Sequence, residues 1–150
     1  MSASNAFEND VMLLLFNNTN IANVGDATGV RGSTTAGNFY VALHTADPGE
    51  AGNQSTSETT YTGYARQPVA RSGAGWTVSG TAPTQVVNAA NVDFPASTVG
   101  TPTITHFSIG YEVSGATKIL VSGALTASQV INVGATPNRF AAGALVATVD

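Results

Sequence analysis

The sequence has no cysteine among its 150 residues, which removes disulfides, thiolate metal ligands and a cysteine nucleophile together. It is also poor in charge. Charged residues make up 9% of the chain, against about 25% in an ordinary soluble domain, and Ser, Thr, Asn, Gly and Ala stand where charges usually do. A neutral polar exterior suits a subunit covered by neighbours, because a protein that stays dispersed alone relies on net charge. Positive charge is scarcest: Arg31, Arg66, Arg71, Lys118 and Arg139 are scattered through a chain of net charge −4. Counterion release from a phosphate backbone needs clustered Lys and Arg, so direct nucleic-acid binding is not expected.

Long apolar runs are absent as well. The run Val11-Met12-Leu13-Leu14-Leu15-Phe16 is too short to cross a bilayer, and Glu8 and Asp10 precede it where a secretory signal carries positive charge. Neither export nor membrane association is expected. No heptad, solenoid period, low-complexity tract or composition break marks a second domain, so the reading is one domain over 1–150, long enough to build its own core.

What is present reads as a mainly β chain with one N-terminal helix, expected at about 5–17. Asn5-Ala6-Phe7-Glu8 has the form of a capping box, with Asn5 placed to accept from the Glu8 backbone, and Asn17-Asn18-Thr19-Asn20 ends the helix. Its second half is apolar nearly all round, which predicts burial, either at the end of a sandwich or between subunits. After a Gly-rich loop over 25–38, Phe39, Val41 and Leu43 alternate with Tyr40, Ala42 and His44 as a strand. A polar stretch over 45–60 with Asp47-Pro48-Gly49 turn chemistry reads as a surface excursion suited to contacting a partner. Further strands are expected at 64–70, 76–78, 86–94, 103–109, 117–122, 129–133 and 145–149, with Pro83, Pro95, Pro102 and Pro137 between them. This spacing predicts an antiparallel β-sandwich, jelly-roll-like in character.

Candidate chemistry is thin. His44, Asp47 and Glu50 bring a histidine near carboxylates, but a structural zinc site wants four closely placed ligands and a catalytic one three plus water, and this set lies across a proline-glycine turn with no second histidine nearby, so no metal is expected. No Gly-x-Ser-x-Gly elbow accompanies the many serines, and Ser72-Gly73-Ala74-Gly75-Trp76 lacks the form of a nucleotide loop. It reads as a turn into a strand anchored by the core residue Trp76, whose N–H seeks an acceptor. No catalytic residue and no cofactor are expected. Arg66 and Arg71 can pair with acids such as Glu58 or with a neighbouring subunit. The candidate protein contacts are Val11, Met12, Leu13, Phe16, Asp47, Glu50, Glu58, Arg66 and Arg71. Ring faces of Tyr40, Tyr61, Tyr64 or Trp76 offer a separate reading as a carbohydrate-binding module.

Several stretches together resemble a family of small tailed-bacteriophage virion structural proteins. They are Phe7-Glu8-Asn9 leading to Leu14-Leu15-Phe16-Asn17-Asn18-Thr19, Phe39-Tyr40-Val41-Ala42-Leu43-His44-Thr45-Ala46-Asp47-Pro48-Gly49-Glu50, and Tyr61-Thr62-Gly63-Tyr64-Ala65-Arg66. Ser72-Gly73-Ala74-Gly75-Trp76-Thr77-Val78-Ser79, Thr105-His106-Phe107-Ser108-Ile109-Gly110 and Ser122-Gly123-Ala124-Leu125-Thr126 extend the likeness. The motif from Leu43 to Glu50 is its specific part, and Gly110-Tyr111-Glu112-Val113 departs from the small-residue turn expected there. The resemblance implies a non-enzymatic virion protein, assembled in the host cytoplasm, with its own copies and other virion proteins as partners. The leading expectation is a capsid decoration or cement subunit seated on the major capsid protein. The alternative is a tail fibre or baseplate component involved in host attachment, a short globular piece because repeats are lacking.

Overall fold

The computed structural model describes residues 3–80, 84–135 and 138–149; Pro83 and Pro137 lie outside them. The described residues form one helix, α1 (Asn5–Asn17), and nine strands: β1 (Asn38–His44), β2 (Gln67–Ala70), β3 (Trp76–Ser79), β4 (Thr84–Asn88), β5 (Val92–Asp93), β6 (Thr103–Gly110), β7 (Ile119–Val130), β8 (Arg139–Phe140) and β9 (Val146–Val149). The chain is therefore mainly β with an N-terminal helix, as its patterning predicts, and the registered ladders are antiparallel. The strands form a four-stranded sheet in the order β2-β1-β6-β7, a three-stranded sheet β3-β4-β9 and the short ladder β5-β8. By internal contacts the chain divides into two compact units, residues 39–69 with 93–139, and residues 1–38 with 70–92 and 140–150.

The unit of residues 39–69 and 93–139 holds nearly all of the four-stranded sheet. β1 pairs with β6 from Tyr40↔Gly110 to His44↔His106. The sequence predicts one buried face for β1, yet Val41, Ala42, Leu43 and His44 are all buried. β1 is an inner strand, and the 45–60 segment returns over it through a Gln54 Nε2–Tyr40 carbonyl bond of 2.9 Å. Both edges of this sheet are blunted. β2 is short and carries Pro68, which has no N–H to offer. β7 takes in most of the strand expected at 117–122 but only the first two residues of the one expected at 129–133, and it bulges. Between paired residues it takes five steps, Gln129 to Ala124, where β6 takes two, Ile104 to His106, and such bulges disrupt the row of backbone groups that would template another strand.

In the other unit, α1 packs on β3 and β4. The helix begins at Asn5 and its cap is Ser4, whose Oγ accepts from the Phe7 N–H at 3.4 Å. Asn5 is thus the first helical residue and not the expected cap; serine caps as well as asparagine does. Glu8, Met12 and Phe16 form the buried stripe at i, i+4 and i+8. Phe16 meets Trp76 edge-on, with ring centroids 5.0 Å apart. Met12 and Phe16 therefore belong to this unit's own core and are not available to a partner, whereas Val11 and Leu13 stay half-buried. The strand expected at 86–94 is broken after Asn88. That side chain donates to the Ala90 and Ala141 carbonyls and accepts from the Leu145 N–H, all at 2.8 Å, which replaces a ladder with a turn. The alternation conceals the break, because Val86, Asn88, Val92 and Phe94 are all buried on either side of it.

α1 has no basic residue in its last turn, and Arg71 supplies one from a distant position. Its Nε donates to the Leu15 carbonyl at 2.7 Å, Nη2 to Leu14 at 3.0 Å and Nη1 to Ala36 at 2.9 Å. This satisfies orphan carbonyls at the negative end of the helix dipole. Arg71 is thus engaged within the chain and not free for a neighbouring subunit. Arg71→Ala is expected to lower stability in urea denaturation by about 2–3 kcal/mol, given the strength of charged hydrogen bonds. Arg71→Lys is expected to recover only part of that, because an ammonium cannot reproduce the planar fork.

Candidate functional site

Of the residues predicted to act, Glu58 and Arg66 come together in the unit of 39–69 and 93–139. Glu58, near the return of the 45–60 segment, and Arg66, just before β2, form a two-pronged ion pair: Nε to Oε1 and Nη2 to Oε2, both 2.7 Å. The side chains are 2% and 16% exposed for Arg66 and Glu58 respectively. Arg66 also donates to the Gly115 carbonyl at 2.8 Å and the Glu112 carbonyl at 3.2 Å. Those two carbonyls belong to the β6–β7 turn, whose Glu112 falls in the stretch where the sequence departs from its resemblance. Weaker bonds of 3.4 Å reach Gln54 Oε1, Ser55 Oγ and Thr117 Oγ1. Tyr64 completes the group: its hydroxyl donates to Glu58 Oε1 at 2.9 Å and accepts from the Leu43 N–H at 3.0 Å. Burial, chiefly, drives the Tyr64 phenol well above its ordinary value, and the bond to Glu58 raises Arg66 further still.

These bonds explain why the 45–60 segment is not the free excursion its composition suggests. Backbone bonds Thr45 N–Ser57 O at 2.8 Å and Thr59 N–Leu43 O at 3.0 Å close it like a hairpin. Gln54 is fully buried, and its amide lies where a Cβ at Gly110 would stand, 2.1 Å from Gln54 Cδ; only glycine fits at 110. The tip remains outside. Asp47 and Glu50 are exposed, and Asp47 Oδ1 accepts from the Gly49 N–H at 2.9 Å in an Asx turn.

His44 is turned into the interior, whereas Asp47 and Glu50 are exposed. It is completely buried, with Nδ1 2.8 Å from the Thr56 carbonyl and Nε2 2.8 Å from Ser108 Oγ. A carbonyl only accepts, so Nδ1 carries the proton and Ser108 donates to Nε2. Both nitrogens are occupied, and among the described residues no three His, Asp or Glu side chains gather closely enough to hold a metal ion.

Arg66, Glu58, Gln54 and Tyr64 are thereby brought together, whereas Asp47 and Glu50 stand at the tip. Arg66 and Glu58, expected at a partner surface, serve the chain's own interior, because a buried guanidinium needs its carboxylate close by. The role of Gln54 was missed; a glutamine in a polar loop carries no mark of burial. The aromatics do not form an exposed platform for a sugar. Trp76 and Tyr61 are 1% and 5% exposed, Tyr64 stacks on Phe94 at 6.2 Å, and Tyr40 is half-buried. Trp76 Nε1 finds no hydrogen-bond partner among the described residues, contrary to the acceptor expected for it.

Beside the ion pair lies an open cleft of about 440 Å³ between 58–66 and the turn at 113–115. Thr59, Thr60, Tyr61, Val113 and Ser114 are among the residues lining it.

Arg66→Ala is expected to cost about 3–5 kcal/mol in chemical denaturation, the range for stranding one partner of a buried pair; Glu58→Gln should cost a comparable amount, since it leaves the buried guanidinium without its carboxylate. A loss below about 1 kcal/mol for Arg66→Ala would place the pair among surface ion pairs. A second expectation concerns acid. Burial holds His44 below its ordinary value, so as pH falls the unfolded chain takes up this proton first. Its contribution is complete above about 6.5 and is lost as pH falls toward the lower folded value. Urea melts between about pH 7.5 and pH 5 should show that decline, and His44→Gln should flatten it.

The chain matches, over residues 2–148, the family model described as podophage GP4 fiber I protein gp80. No curated protein matches it.

Proposed function

The chain belongs to this podophage fibre family and is a structural component of a phage virion; on that premise we propose that it is a short globular module of the tail fibre or baseplate involved in host attachment. The family match carries the reading, and it supports the fibre role better than the capsid decoration that the charge-poor surface first suggests. The lack of repeats and heptads in the sequence fits a compact piece joined to something longer, not a shaft.

In this reading the protein is not an enzyme. The titratable groups that converge, Arg66, Glu58 and Tyr64, are occupied by one another, and they work by fixing a loop and a turn. Its partners are copies of itself and other virion proteins, with neither nucleic acid nor membrane involved. The exposed tip residues Asp47 and Glu50 and the half-buried Val11 and Leu13 of α1 remain the surfaces offered to them. Met12, Phe16, Arg66 and Arg71 are withdrawn from that set by their engagement within the chain.

Immunogold labelling of intact virions, with mass-spectrometric counting of copies against the major capsid protein, tests the reading. Label at the tail with few copies is expected. Label over the whole head, at copies comparable to the capsid protein, would restore the decoration role.

A further inference from the structure

We propose that the cleft beside the Arg66–Glu58 pair binds a neutral saccharide of the host surface, which rests on the fibre reading and gives that reading a ligand. The first argument is charge. The two ionised groups in the wall neutralise each other through both prongs of the guanidinium, so the cleft has no net charge with which to select a phosphate or a metal ion.

The second argument is the chemistry of what remains. Glu58 Oε1 already accepts from Arg66 and Tyr64, but among the described residues Oε2 accepts only from Arg66. That leaves a carboxylate lone pair for a ligand hydroxyl on a side chain that is 16% exposed. Thr60 and Ser114 bring exposed hydroxyls to the same walls. Thr59 also lines the cleft, is 2% exposed, and its Oγ1 has no hydrogen-bond partner among the described residues. Val113 and Ala65 add apolar surface. Hydroxyls and one fixed acceptor set among short apolar groups match a molecule that alternates O–H with C–H. Recognition here runs through hydroxyls and does not need the ring faces of Tyr40, Tyr61, Tyr64 or Trp76.

The third argument is size and rigidity. A volume of about 440 Å³ lies within the roughly 300–1,000 Å³ of small-molecule sites. Both walls are held by Arg66, one through Glu58 and the other through the Glu112 and Gly115 carbonyls. A site fixed before binding loses little freedom when its ligand arrives.

Saturation-transfer NMR on the full chain, with glucose, galactose, mannose, N-acetylglucosamine and N-acetylgalactosamine each added as free sugar, provides the test. Transfer to at least one sugar is expected. Ser114→Trp, which fills the cleft from an exposed wall and leaves the ion pair intact, should weaken that binding about tenfold or more, the equivalent of a hydrogen bond or two. Thr60→Trp serves as a second variant should the first alter the melting curve, and Val24→Trp, in the other unit, should leave binding unchanged. No transfer to any of these sugars overturns the inference, as does binding that survives both cleft variants. A response only to glucuronate or glucose 6-phosphate would overturn the neutral-ligand assignment. Tail labelling without sugar binding defeats this inference alone, whereas sugar binding by a head-located protein defeats the fibre reading and leaves the cleft standing.

Discussion

The unit of residues 39–69 and 93–139 depends on one guanidinium. An arginine carries five N–H donors in a rigid plane, and Arg66 uses that plane to join the carboxylate of the 45–60 segment to a turn more than forty residues further along the chain. Bringing them together costs chain entropy that rises slowly with separation. It is the directional geometry of the charged bonds that then fixes one arrangement among many. A lysine at this position would offer a point charge and three donors, and could not span the same set. With so little charge elsewhere in the sequence, a single ion pair decides more here than it would in a chain with a charged surface.

The helix-bearing unit solves a related problem with the same residue type. α1 ends without a basic residue of its own, and Arg71 reaches its last carbonyls from just past β2. Two of the five basic residues thus work inside the molecule, and Arg139 is paired with Asp93. The positive charge left on the exterior is smaller than the composition implies, so the surface is both sparsely charged and acidic in balance.

Much of this was legible from the chain. The helix, the inner strand β1 and the β6 segment announce themselves by periodicity, and the Glu58–Arg66 pairing was one of the alternatives that the sequence leaves open. What was not legible shares a cause: side chains that replace backbone pairing. Asn88 ends a strand whose alternation continues past it, and Gln54 enters the interior from a loop without any large apolar residue. Neither leaves a trace in hydropathy, because the information lies in a partner more than fifty residues away for Asn88 and in the missing side chain of Gly110 for Gln54. The second half of the helix is apolar nearly all round, so the sequence alone offers Met12 and Phe16 to a partner as readily as to the core. Only the sheet beneath it shows which face is taken.

The 45–60 segment is held at its base, through Gln54, Glu58 and the backbone bonds of Thr45 and Thr59, and not by Ala46, Glu50 or Ala51 at its exposed tip. Anchoring and display are therefore carried by different residues. Substitutions at those tip positions change what the loop presents without touching what keeps it in place, so the surface there can vary while the fold is kept.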